Sequence, residues 1–137
     1  MNRSEVSQSR LMLTWQSGID GNKDAGCVAV FVSEKTSYGN EFYHNKDGCL
    51  EKVIMSGRGG RKKTEKGYVH VKNQEHHKNY PMLESVEHKV PIRLITEDAS
   101  GVITYYGLWK CTGYTYLLHH NNSKFNAFQF MLIPWVS

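Results

Sequence analysis

Residues 90–110 read VPIRLITEDASGVITYYGLWK. Two runs rich in β-branched and aromatic residues, VPIRLIT (90–96) and VITYYGLWK (102–110), flank EDASG (97–101). Such side chains suit a pleated, half-buried surface, and an acidic stretch ending in glycine turns the chain back, so the pattern predicts a β-hairpin. Pro91, Ile92, Leu94, Tyr106 and Leu108 are its expected core positions. Gly107 reads as a bend or a close backbone approach. Beyond the hairpin, GYTYLLHH (113–120) forms a further strand and NNSK a polar turn. In FNAFQFMLIPW (125–135), Phe128, Phe130 and Leu132 alternate with Gln129, Met131 and Ile133, which places Phe130 inside.

Upstream, GCVAVFVS (26–33) is a continuous apolar run that reads as a buried strand, and EKVIMS (51–56) is a shorter one. NYPMLESVEHK (79–89) predicts a short helix capped by Asn79, with Pro81 in its first turn and Met82, Leu83 and Val86 inward. A second helix is expected within residues 1–14. The sum is a β-rich α+β chain whose closely spaced strands suit a small barrel or a strongly bent sheet.

The 137 residues bound this to one domain, residues 1–137, with a real core. A hydrophobic content of 39% and a charged content of 22% are those of a globular chain. Cys27, Cys49 and Cys111 are far apart and form no CxxC pair, which predicts reduced thiols and an intracellular setting. No apolar run is long enough to cross a bilayer, and MNRSEVSQSRLML lacks the features of a secretory signal. No Ser/His/Asp elbow, P-loop or dinucleotide fingerprint is present, so neither catalysis nor a cofactor is expected.

The formal charge is +4, and its distribution is uneven: Arg58 to Lys78 contains seven Lys or Arg residues against two Glu. Five of the seven lie within SGRGGRKKTEKG (56–67), a glycine-hinged loop holding Arg58, Gly59, Gly60, Arg61, Lys62, Lys63 and Lys66. Concentrated positive charge attracts polyanions through counterion release, although a solvated surface turn has the same composition.

The order of short motifs then becomes informative: NRSEV (2–6), GIDG (18–21), YGNEF (38–42), SGRGG (56–60), NQEHHKNYPMLES (73–85), PIRLI (91–95) and YYGLW (105–109). This series resembles the SRA (SET- and RING-associated) domain, also called YDG, over nearly the whole chain. The resemblance implies a PUA-like curved β-barrel with short flanking helices. It implies double-stranded DNA as partner, with a modified cytosine, usually 5-methylcytosine, flipped into a pocket by a reader that does no chemistry on it. An effector is then a fused domain or a separate protein. The segment after Gly60 corresponds to the loop that fills the gap left by the base, making Arg58, Arg61, Lys62 and Lys63 candidates for groove and phosphate contacts.

The implied base pocket is built from Gly18, Ser33, Glu34, Tyr38, Met55 and Ser56. Glu34 is the carboxylate nearest the family's acceptor position and Tyr38 the nearest stacking aromatic. The stretch from Ser33 to Tyr38 is shorter than in the family, and HNKDGCLEK (44–52) is longer. An RNA-binding PUA-like module, or the recognition part of a modification-dependent restriction nuclease, are the alternatives.

Other constellations read as structure. The neighbours in His76-His77 and in His119-His120 diverge on any regular element, so each pair offers one metal ligand at best and no metal is expected. Glu87-His88-Lys89 matches a nuclease E-x-K fragment but ends a helix, the wrong setting for a magnesium site. Tyr105, Tyr106, Trp109, Tyr114 and Tyr116 fit a strand with alternate residues in the core.

Overall fold

The computed structural model describes residues 19–22, 26–34, 40–65, 67–118 and 124–136. The expected helix in residues 1–14, the site candidates Gly18, Tyr38 and Lys66, the side chain of Lys63, and His119-His120 lie outside the described residues. The strands are β1 (Ile19–Asn22), β2 (Gly26–Ser33), β3 (Glu41–His44), β4 (Leu50–Ser56), β5 (Arg61–Thr64), β6 (Gly67–His70), β7 (Ile92–Glu97), β8 (Ile103–Leu118) and β9 (Asn126–Pro134). Among the described residues there is one helix, α1 (Tyr80–His88), which follows a 3-10 turn at His76–Asn79.

Seven strands form one open, curved sheet in the order β1-β2-β7-β8-β9-β4-β3, while β5 and β6 pair only with each other. All pairings are antiparallel except β2 with β7, which run parallel from Ala29↔Arg93 to Ser33↔Glu97. Parallel neighbours need a long crossover, and α1 supplies its last element. Ser85 on α1 accepts from the Cys27 N–H at 2.7 Å and donates to the Cys27 carbonyl at 3.3 Å, which pins the helix to the start of β2.

The 90–110 hairpin is present as β7 and β8. Asp98 organises its turn, its Oδ1 accepting from the Ser100 N–H and hydroxyl and from the Val102 N–H. Those hydrogen bonds, the Ser100 hydroxyl first, hold the Asp98 carboxyl below the usual range. The two strands expected at 102–110 and 113–120 are a single strand, β8. It bends at Gly107 (φ 80°), where the space around the glycine is open, and shifts register between Cys111 and Gly113.

Ile92, Leu94 and Phe130 are fully buried, as expected, but Pro91 is exposed and Tyr106 and Leu108 are 41% and 48% exposed. On β8 the inward residues are Ile103, Trp109 and Cys111, so the expected β8 face was wrong by one residue, which in a strand exchanges the two faces. Trp109 is the buried member of the YYGLW motif, its indole N–H donating to the Tyr106 carbonyl at 3.1 Å. Tyr105, Tyr106 and Tyr114 are exposed, while Tyr116 packs on the core.

The main core cluster is drawn from β1, β2, β4, β7, β8, β9 and α1, with Met55, Met82, Leu94, Phe128 and Phe130 among its members, and Ala29, Phe31, Ile95 and Ile103 form a second, smaller cluster. All three cysteines are free thiols, and burial pushes the Cys111 thiol up to about 12, which makes it inert. No described helix is long and apolar enough to cross a membrane.

Candidate nucleic-acid interface

The glycine loop leaves β4 at Ser56 and is held from beneath by two fully buried amides. Gln74 Nε2 donates to the carbonyls of Gly57 (2.9 Å) and Gly59 (3.3 Å), and its Oε1 accepts from the Phe128 N–H at 2.8 Å. Asn79 Oδ1 accepts from the Arg58 N–H at 2.9 Å while Nδ2 donates to the Arg58 carbonyl at 3.1 Å. A Cβ on Gly57 would lie 2.7 Å from both Gln74 Oε1 and Phe128 Cβ, so only glycine lets the loop settle onto these amides. Gly60, at φ 68° and with the Lys72 carbonyl 2.6 Å from where a Cβ would sit, turns the chain outward. The loop is therefore a rigid mount, and the spaced motifs SGRGG and NQEHHKN are two halves of one clamp.

What the mount carries is a two-stranded hairpin. RKKTEKGYVH was expected as a loop but pairs as β5 and β6, with Arg61↔His70 and Lys62↔Val69 in register. Thr64 Oγ1 closes its turn by donating to the Gly67 carbonyl at 2.6 Å. Lys62 is exposed on β5. Arg58 is not displayed in this way: its Nε donates to the Lys78 carbonyl and its Nη1 to the Ile19 carbonyl at 3.4 Å, tying the loop to β1. Burial lowers its pKa, although an arginine remains charged.

Arg61 turns back from the hairpin, its Nη2 donating to Ser56 Oγ. The Ser56 N–H donates to Asn40 Oδ1 at 2.9 Å, and Asn40 Nδ2 donates to the Ser33 carbonyl at 3.1 Å. Ser33 Oγ then donates to Oε1 of Glu97 at 2.9 Å. The structure thus brings together three sequence candidates, Ser33, Ser56 and Arg61, and adds Asn40 and Glu97. Asn40 lies within the quoted YGNEF motif. Glu97 could be found only by knowing that β7 runs beside β2. Of the other candidates, Met55 belongs to the core cluster opposite Phe130, and Glu34 is exposed, its N–H donating to the Glu97 carbonyl at 2.8 Å.

The histidine and acidic groups have local explanations. His76 packs on Tyr116 (4.9 Å) and Phe128 (5.0 Å), whereas His77 pairs with Glu75 at 3.1 Å. Glu84, Glu87 and His88 form a surface group on α1 at helical spacing, with His88 paired to Glu84 at 3.0 Å.

His70, at the foot of the hairpin, has its pKa lowered by burial and then by the Arg61 charge. A depressed histidine pKa means the folded state resists protonation. Its contribution to stability is fully present above the unfolded value of about 6.5 and is lost as pH falls toward the lower folded value. Thermal melts from pH 7.5 down to 5 should show a decline that His70→Gln flattens. Equal slopes for the two proteins would contradict the assignment.

A family model described as SAD/SRA domain matches residues 1–134. No curated protein matches the chain. Among solved structures, a modification-dependent TagI restriction endonuclease superposes with a TM-score of 0.80 at 21% identity, over 99% of this chain and 48% of its own. This chain therefore spans about half the length of that endonuclease. The SUVH5 SRA domain in complex with methylated CHH DNA gives 0.73 at 20% identity, over 100% of this chain and 86% of its own. The same domain bound to fully hydroxymethylated CG DNA gives 0.75 at 22%, with the same coverage. At such identities the likeness is one of fold.

Proposed function

We propose, on the premise that this chain belongs to the SAD/SRA domain family, that it acts as one domain binding duplex DNA and reading a modified cytosine. In this reading the base is turned out of the helix and no bond is made or broken. The observation that carries it is the clamped SGRGG mount, which launches a basic hairpin beside the polar chain from Arg61 to Glu97. Unstacking a base costs a few kcal/mol and leaves a gap in the duplex. A hairpin held on buried amides can fill that gap without being ordered at the moment of binding. The polar chain then offers the extruded base hydrogen-bonding groups already fixed in place.

Lys62, Lys63 and Lys66 would meet phosphates and the groove, positioning the duplex without specifying sequence, whereas Arg61 turns back to Ser56. Arg58 serves the mount instead. The ligands of the structural neighbours, methylated and hydroxymethylated DNA, support the choice of partner. The likeness to half of a restriction endonuclease favours a companion reading, in which the chain is the recognition part of a nuclease or works with a separate effector.

A binding panel at fixed salt tests the proposal. It compares plain, 5-methyl-, 5-hydroxymethyl- and glucosylated cytosine duplexes with single-stranded DNA and RNA. Preference for a modified duplex is expected; preference for RNA or single strands would replace the reading with an RNA-binding one.

A further inference from the structure

Within the glycine mount, two peptide groups are oriented by the amides that hold them. The Arg58 carbonyl accepts from Asn79 Nδ2 at 3.1 Å and the Gly59 carbonyl from Gln74 Nε2 at 3.3 Å. In a planar trans peptide the N–H points opposite to the C=O, so the N–H groups of Gly59 and Gly60 point away from the clamp. Among the described residues neither of them donates a hydrogen bond. Gly59 and Gly60 have φ of 91° and 68°, and successive N–H groups presented by such a turn can bind an anion. Lys78 lies across the same spot. It is exposed, and a Cβ on Gly59 would sit 3.1 Å from its Cδ and 4.0 Å from its Nζ. The bare glycine therefore leaves the ammonium beside the backbone. Glu75 is near enough to feel that charge, but its two oxygens are engaged by Lys72 at 3.3 Å and His77 at 3.1 Å. Arg58, by contrast, directs its guanidinium to the carbonyls of Lys78 and Ile19.

We infer that Lys78 and the N–H groups of Gly59 and Gly60 form a phosphate site on the mount itself, taking one phosphodiester of the bound duplex. The inference rests on the duplex-binding part of the reading proposed above, and it adds a contact apart from the lysines of the hairpin. The ammonium supplies a point charge and the two N–H groups supply direction, a combination that suits a phosphate oxygen and favours no base. Hydrogen bonds from N–H groups to an ionised oxygen are among the stronger ones. These donors need no ordering on binding, because the buried Gln74 and Asn79 already fix their peptides. Binding here holds one phosphate against the core of the protein, whereas the hairpin lysines project from it.

The test combines Lys78→Gln, which keeps part of the stem and removes the charge, with duplexes in which single phosphodiesters are replaced, one at a time, by uncharged methylphosphonates. Lys78→Gln should melt as the wild type does and lower the slope of log affinity against log salt by about 0.9. Its affinity should fall equally for plain and modified duplexes. At one position the neutral linkage should cost the wild type about 10-fold or more and cost Lys78→Gln clearly less. Elsewhere the two proteins should respond alike. A like response at every position would mean that Lys78 adds only to a diffuse field, and would overturn the inference. So would an unchanged salt slope. In either event a wild-type preference for modified over plain duplex would still support the reader function. A wild type that binds no duplex would overturn both. If Lys78→Gln melts lower than the wild type, Lys78→Arg decides: it returns a cation, so the salt slope and the position-specific loss should return with it. Their continued absence would overturn the inference as well.

Discussion

Phe128→Ala is expected to lower the unfolding free energy by about 3–5 kcal/mol, the usual cost of emptying an aromatic site in a close-packed core. Phe128 is fully buried on β9, stacked on Phe130 with ring centroids 5.6 Å apart and packed against Tyr116 at 4.4 Å. It is also the floor of the glycine mount. Its carbonyl accepts from the Gly57 N–H and its N–H donates to Gln74 Oε1, both at 2.8 Å. A cavity there would loosen the sheet and the loop together, so duplex affinity should fall with stability. Chemical denaturation measures the first effect. A loss below about 1 kcal/mol would mean that the site collapses around the smaller side chain, and that the mount does not depend on it.

Replacing Lys62, Lys63 and Lys66 with alanine should weaken binding to every duplex, modified or plain. It should also reduce the dependence of log affinity on log salt by about 0.9 for each phosphate that is no longer neutralised. If all three lysines neutralise phosphates, the difference in affinity between 50 and 200 mM salt would shrink by a factor of roughly 40. The preference for a modified base should survive, because phosphate contacts carry no base information. Arg58→Ala should behave differently. Its guanidinium donates to the carbonyls of Lys78 and Ile19, so its removal should appear in the melting temperature before it appears in the salt slope. Salt titration of the two variants separates these roles. An unchanged slope in the triple variant would leave the hairpin as a solvated surface feature.

The sequence was most legible where hydrophobic pattern alone decides structure. GCVAVFVS became β2 with the expected limits, the 90–110 hairpin formed, and Phe128, Phe130 and Leu132 all face inward on β9. The inward face of β8 was harder to read, because its aromatic run is apolar on both faces and a one-residue shift leaves the pattern almost equally good. β1 and β3 are short edge strands of four residues each, too brief for periodicity to register. The β5–β6 hairpin was hidden by its charge, since lysines and arginines on a projecting ribbon have no core to report.

In the site, the glycine loop and its basic continuation were visible as composition. The clamp was not, because Gln74 and Asn79 are polar residues in a polar stretch, and only the fold shows that both are buried. Glu97 was hidden for a related reason. It sat in an apparent turn sequence, EDASG, and acquires meaning only from the parallel pairing that sets Ser33 beside it.

The most direct measurement is the ratio of affinities for a duplex with one modified cytosine and for the same duplex unmodified, taken at one salt concentration on the intact chain. Backbone contacts cancel in that ratio, so it isolates recognition of the base. The account predicts at least about a tenfold preference for one of the modified duplexes, the discrimination expected of one well-made hydrogen-bonded base contact. A ratio of one for every modification, with duplex affinity otherwise intact, would contradict it and leave a protein that holds only the phosphate backbone.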